Sequence, residues 1–152
     1  MPESVILDLD STLLDAYGRQ EGRAFNFHYQ SNGYHPLVCY DGITGDLIKI
    51  QLRDGTMYSC TGVVDFLQPV LDEYLADYQS INLLLRGDSG FATPELYRQC
   101  EENGTCYVIR LKENNNLREK AAYLVDELDD ITRENKVDYA VVYGEFMYQA
   151  AS

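Results

Sequence analysis

The sequence predicts an α/β fold in which one mixed sheet is covered by helices. Two apolar runs, "VILDLD" (5–10) and "INLLLRGD" (81–88), read as buried strands that each end at an aspartate. Three strand-like segments open the chain with no helical stretch between them, which implies an antiparallel meander. Strand–helix–strand alternation then follows, which implies parallel pairing.

The elements justify themselves in order. "SVILDLDS" (4–11) is rich in β-branched residues and leucine and alternates little, as in a central strand covered on both faces. Residues 15–33 carry Gly18, Gly22 and Gly33 among many polar residues, which suits a connection with a short extended piece at "AFNFHY". "YHPLVCYD" (34–41) reads as a strand and "GITG" as a turn. "DLIKIQLRDG" (46–55) alternates in period two, with Ile48, Ile50 and Leu52 on one side and Lys49, Gln51 and Arg53 on the other, so a hairpin is expected. Residues 61–78 change period. Val63, Val64, Leu67, Val70, Leu71, Tyr74, Leu75 and Tyr78 fall on one helical stripe, with Pro69 expected to kink the helix or to mark its true start. A strand follows over 81–91. The next helix, 93–104, has Thr93 as N-cap, Pro94 at its first position and Gly104 past its end. Residues 105–112 read as another buried-type strand. Residues 114–135 form an amphipathic helix with Leu117, Ala121, Leu124, Val125, Leu128 and Ile131 on one face, and 137–150 read as a last strand. This is the element order of the ribonuclease H-like fold.

Bulk properties bound the function. A chain of 152 residues suits one domain with one sizeable core. No stretch approaches a membrane span and no leader pattern opens the chain, so a cytoplasmic protein without a membrane partner is expected. Cys39, Cys60, Cys100 and Cys106 form no CxxC pair, and His35 four residues before Cys39 has no second ligand pair, so reduced thiols rather than a zinc site are expected. The net charge of −13, from 25 acids and 12 bases, argues against a free-standing nucleic-acid binder but not against a metal-dependent core gripped to DNA elsewhere.

The first strand ends in "LDLDSTL" (7–13), which fits the DxDxT signature of haloacid-dehalogenase-like phosphatases. That resemblance would make Asp8 a nucleophile, Asp10 a general acid/base and Asp88 a magnesium ligand. It needs a lysine on a helix between the acidic motifs, whereas the lysine between Asp10 and Asp88 is Lys49, in the expected hairpin. The second acid expected after Asp88 falls at Ala92.

A second resemblance runs over nearly the whole chain. "DLDST" (8–12), "GRQEG" (18–22), "FNFHY" (25–29), "GYHPLVCYD" (33–41), "LRDG" (52–55), "LRGDSGF" (85–91), "YVIRLKEN" (107–114) and "GEFMYQA" (144–150) resemble, in order, the group 1 DDE transposases of bacterial insertion sequences. The resemblance implies a ribonuclease H-like catalytic core that cuts and joins DNA at transposon ends with two Mg²⁺ or Mn²⁺ ions. It implies partners in transposon-end and target DNA, and a homo-oligomer assembled on DNA. Carried onto this chain, it makes Asp10 the first acid and Asp88 the second. Hard divalent ions prefer carboxylate oxygens, and the two aspartates end strands expected to be parallel neighbours, so the physical logic agrees. Asp8 shares a strand face with Asp10 and is either a further metal ligand or a structural hydrogen-bonding residue.

The family's third acid, a glutamate on a later helix, has no matching motif here, and Glu145 falls in a different family segment. The expectation is therefore a single partial catalytic domain over 1–152. Its core is 1–112, and 113–152 begins an inserted or C-terminal segment. The chain is read as truncated before the third acid and inactive by itself, with a non-catalytic folded remnant as a third alternative. Arg86 and Arg110, near strand ends, are candidate phosphate contacts or partners for the many acids. His28 and His35 read as structural imidazoles, Gln20 and Glu21 as residues positioning DNA or the first strand's loop, and the thirteen tyrosines mainly as packing.

Overall fold

In the computed structural model, which describes residues 4–78 and 80–149, "SVILDLDS" forms β1 (Ser4–Ser11) in the middle of a five-stranded sheet. The other strands of that sheet are β5 (Leu37–Asp41), β6 (Leu47–Gln51), β7 (Asn82–Gly87) and β8 (Cys106–Ile109). Their order is β6-β5-β1-β7-β8. β1 runs antiparallel to β5 and parallel to β7, β5 is antiparallel to β6, and β7 is parallel to β8. This is the ribonuclease H-like arrangement that the element order predicts.

The chain divides into two compact units, Met1–Leu111 and Lys112–Ser152. In the first, helices α1 (Val63–Asp77) and α2 (Pro94–Glu102) bury one face of the sheet. Val5, Leu7 and Leu9 of β1 join Leu83 and Leu85 of β7 in a cluster with Phe66, Leu67, Leu71, Leu96 and Cys100. The alternate residues of β1 are not covered equally: Ile6 and Asp8 are half-buried and Asp10 is exposed. The strand is thus two-faced, which corrects the expectation of cover on both sides. The polar residues at positions 8 and 10 already carry that alternation. β8 departs in the same way, since Cys106 and Val108 are exposed while Tyr107 and Ile109 pack on the core.

The helices start and stop for local reasons. α1 follows Gly62, whose φ of 72° suits glycine at the turn. Phe66 is buried in its stripe, whereas the expected members Leu75 and Tyr78 lie in exposed and post-helical positions. α1 continues through Pro69. Pro69 and Asp65, the residue whose carbonyl loses its partner, are both exposed, so water can satisfy that carbonyl. α2 is capped as predicted: Thr93 accepts from the Leu96 N–H, Pro94 is the first helical residue, and Gly104 follows the end with φ 63°. Gln99 Nε2 ties the helices together by donating to the Val64 carbonyl and to Gln68 Oε1, both at 2.9 Å.

The hairpin is shorter than expected. His35 and Pro36 separate β5 from the preceding strand, and β6 stops at Gln51. Ile48 packs on the core, but Ile50 (53%) and Leu52 (62%) are exposed while Arg53 turns inward. A register irregularity at Cys39/Tyr40 and the end of the strand break the period-two pattern. The connection after β1 holds a second small sheet, β2 (Leu14–Asp15), β3 (Ala24–Asn26) and β4 (Ser31–Tyr34), in the order β2-β4-β3. The expected extended piece is therefore β3 alone, followed by a turn. Asn26 makes that turn by accepting from the N–H groups of His28 and Tyr29, while its amide donates to the Gly55 carbonyl.

The second unit contains α3 (Asn115–Asn135), capped by Asn114, whose side chain accepts from the Leu117 N–H. Leu117, Ala121, Leu124, Leu128 and Ile131 form its half-buried stripe, and Val125 is exposed. The strand expected over 137–150 does not form across 137–149, and residue 150 lies outside the described residues. A strand needs an edge to pair with, and the described part of this unit provides none. The segment instead runs back along the helix: Gly144 lies against Tyr123 and Leu124, and Asn114 donates to the Tyr148 hydroxyl.

Gly55 of "LRDG" is wedged between backbones: a Cβ there would lie 2.3 Å from the Gly33 carbonyl oxygen and 2.6 Å from that of Ala24. Gly55→Ala should therefore cost about 1–3 kcal/mol, read as a lower urea midpoint with an unchanged slope.

Candidate functional site

The β1–β7 ladder runs from Ser4 opposite Asn82 to Asp8 opposite Arg86, a constant offset of 78 residues (86 − 8). Carried two residues further, it sets Asp10 level with Asp88, just beyond the end of β7. The β7–β8 ladder keeps an offset of 22 residues (109 − 87), which sets Arg110 level with Asp88. The Arg110 N–H donates to the Gly87 carbonyl at 3.2 Å, which continues the pairing. Continued past their last pairs, the two ladders align Asp10, Asp88 and Arg110 at the carboxyl ends of three parallel strands, where open α/β sheets place their sites.

Both carboxylates are exposed, and each is oriented by a nearby amide. Asp10 Oδ1 accepts from the Ser11 N–H at 2.7 Å. Asp88 Oδ1 accepts from the Gly90 N–H at 2.8 Å and caps the short 3₁₀ turn Ser89–Phe91. The two charges meet at one phenol. Burial pushes the Tyr29 hydroxyl above its ordinary pKa, and the charges of Asp10 and then Asp88 raise it further. Tyr29 donates to the Ser11 carbonyl at 3.2 Å and sets its ring against His35.

Asp8 lies on the same face, one rung back. Both its oxygens accept from the Arg86 guanidinium, Oδ1 from Nε at 2.5 Å and Oδ2 from Nη2. That fork raises the Arg86 pKa. Arg86 is thus held by Asp8, while Arg110 is exposed in the carboxylate row.

Behind the row sits a polar cluster that sequence reasoning did not single out. Ser11 Oγ is 2.8 Å from His35 Nε2 and accepts from Arg53 Nη2 at 2.9 Å. His35 Nδ1 lies 2.7 Å from the Met57 carbonyl, which makes this imidazole structural, as expected. The available signal was "LRDG" itself, where an arginine precedes a turn in a segment otherwise patterned as a strand.

Hard carboxylate oxygens suit Mg²⁺ or Mn²⁺, and Asp10 and Asp88 supply them from adjacent strands. Among the described residues no group of three or more His, Cys, Asp or Glu side chains is placed to hold a metal ion. The four cysteines are free, and no described helix is long and apolar enough to cross a membrane.

With this geometry in place, the comparisons with known proteins define the class. The family model described as transposase DDE domain group 1 matches residues 1–152, and the chain belongs to that family. A solved chain in the cryo-EM structure of the simian T-cell lymphotropic virus intasome, in complex with PP2A regulatory subunit B56 gamma, is similar with a TM-score of 0.45 and 12% identity. The match covers 90% of this chain and 44% of that one, so the present chain spans less than half of that chain's length. No curated protein matches.

Negative neighbours disfavour a phenolate, so neutralising either aspartate should lower the Tyr29 pKa. Asp10→Asn should shift its NMR titration midpoint down, Asp88→Asn should do so by less, and Asp46→Asn should leave it unchanged. The stability linked to this phenol is present below its ordinary value of 10.0 and is lost as pH rises through the higher folded value.

Proposed function

We propose that Asp10 and Asp88 are the first two acids of a two-metal centre for DNA strand cleavage and strand transfer at transposon ends. The observation that supports this most is the level placement of the two aspartates at the carboxyl edge of adjacent parallel strands in a chain of the DDE family. Divalent ions bound there would activate the attacking oxygen and stabilise the leaving one. The chain's own residues hold and aim. Asp10 and Asp88 offer oxygens oriented by the Ser11 and Gly90 amides. The ion pair with Arg86 favours Asp8 as the residue that aims this guanidinium, over a direct metal ligand. Arg110, exposed beside Asp88, is the better placed contact for a DNA phosphate.

The net charge of −13 works against approach of DNA, so the metals and regions outside this surface must supply attraction. Two carboxylates fill few positions around each ion. Residues 1–152 alone should bind Mg²⁺ or Mn²⁺ weakly, on the order of millimolar, and should not cut DNA without a third acid. Transposon-end and target DNA, oligomeric assembly on that DNA and a cytoplasmic site of action follow from the same reading.

A haloacid-dehalogenase-like phosphatase is the weaker reading. Its sheet is built from parallel strand–helix repeats, whereas β1 here pairs antiparallel with β5. Lys49, the lysine such a site would need, donates to the Phe66 carbonyl at 2.7 Å on the helix-covered side.

Thermal melts with Mn²⁺ test the proposal. At tenfold excess over Kd the wild-type chain should gain about 1.4 kcal/mol, a rise of roughly 3–6 °C. Asp10→Ala and Asp88→Ala should abolish the rise, and Asp46→Ala should keep it. No rise in the wild type would favour a non-catalytic remnant. A phosphoryl donor that labels the wild type but not Asp8→Asn would favour the phosphatase.

A further inference from the structure

We infer that buried Arg53 is a positioning residue that holds the end of β1, bearing Asp10, and the turn bearing Asp88 in one register. The inference rests on the reading of those aspartates as a metal-holding pair and adds the device that keeps them aligned.

The need for such a device follows from the ladder. Pairing of β1 with β7 ends at Asp8 opposite Arg86, so both acids lie two residues beyond the last rung. Backbone hydrogen bonds between the two strands do not reach them. Asp10 is held on its other side by the β1–β5 ladder, and Arg53, 8% exposed, hydrogen-bonds both to the end of β1 and to the 58–61 loop.

On one side, Arg53 Nη2 donates to Ser11 Oγ at 2.9 Å, and Ser11 is the residue whose N–H orients Asp10. Nε donates to the His35 carbonyl at 2.9 Å, and the His35 ring meets the same Ser11 hydroxyl. On the other side, Nη1 reaches the carbonyls of Tyr58 (3.2 Å), Ser59 (3.1 Å) and Thr61 (2.6 Å), which closes that loop around the guanidinium. Ser59 then rests on Gly90: a Cβ at Gly90 would lie 2.9 Å from Ser59 Cβ. Gly90 is the residue whose N–H orients Asp88. A continuous path therefore runs Asp10, Ser11, Arg53, Ser59, Gly90, Asp88.

The residue type fits this task. Arg53 meets four carbonyls and one hydroxyl through three nitrogens, a planar fork that a lysine ammonium cannot reproduce. Each of these acceptors is neutral, so the hydrogen bonds offset the cost of burying the cation without an ion pair. Burial accordingly pushes the Arg53 pKa down.

Amide hydrogen exchange on the metal-free full chain tests the coupling without reference to metal binding. Arg53→Lys should speed exchange at both Ser11 and Gly90 by about tenfold or more, with Leu7 and Leu85 in the strand cores little changed. Two substitutions at the ends of the path, Ser11→Ala, which removes a hydroxyl, and Gly90→Ala, which presses on Ser59, cover the case in which Arg53→Lys fails to fold. Ser11→Ala should speed exchange at Gly90, and Gly90→Ala should speed it at Ser11, although one position ends β1 and the other lies in the 3₁₀ turn after β7. Loosening confined to 54–61 in Arg53→Lys, or no reciprocal response in the Ser11 and Gly90 variants, overturns the inference. If the wild type binds Mn²⁺, Arg53→Lys should weaken that affinity about 10-fold, as loss of an outer-shell partner does. Leu96→Ala, which loosens the core away from this path, should lower the melting temperature and leave the affinity unchanged. Equal weakening by both substitutions would reduce Arg53 to general support. Exchange coupling in a wild type that binds no Mn²⁺ would sink the metal reading while sparing the path.

Discussion

Hydrogen bonding between β1 and β7 fixes an offset of 78 residues, and the chemistry of the sheet edge depends on that offset. A slip of one residue would turn Asp10 to the opposite side of its strand relative to Asp88. The register is secured by burial rather than by the aspartates themselves. Val5, Leu7 and Leu9 on β1, with Leu83 and Leu85 on β7, alternate into the same core, so any slip would drive apolar side chains into water. The carboxylates take no part in that packing. Their positions are set by groups that have nothing to do with metal or DNA.

Electrostatics at the edge are built on this frame. An exposed pair such as Asp8–Arg86 adds little to stability, since water screens both partners. Its effect is directional: the fork fixes a guanidinium one rung back from the carboxylate row. Asp10 and Asp88 carry like charges in an already acidic chain, an arrangement that disfavours their approach unless a cation lies between them. Tyr29, which senses both, marks where their fields overlap.

Much of this was legible in the residues. The sheet order follows from three strands without an intervening helix and then strand–helix–strand units, because the handedness of crossovers leaves few alternatives. The α2 boundaries follow from Thr93, Pro94 and Gly104, where single side chains decide the backbone. Asp10 and Asp88 stood out because each ends an apolar run. The small β2-β4-β3 sheet was not legible, since strands of two to four residues are too short to show a period. Residues 137–149 have strand-like composition, but composition cannot supply an edge to pair with. Arg53 was assigned to the polar side of a strand, because its burial depends on carbonyls from a loop five to eight residues later turning back toward it.

The outer flank of the sheet carries one more implication. β6 ends the described sheet, and just there Ile50 and Leu52 stand in water while the nearby cation Lys49 is turned onto Phe66. Edges of this kind are ordinarily guarded by a charged side chain, and here that guard faces inward. Mutual repulsion between highly anionic copies also works to keep such flanks apart, and it operates through solvent over roughly 10 Å at 0.1 M salt and only about 3 Å at 1 M. Ionic strength therefore sets how far the repulsion between anionic copies of this chain reaches past the β6 flank.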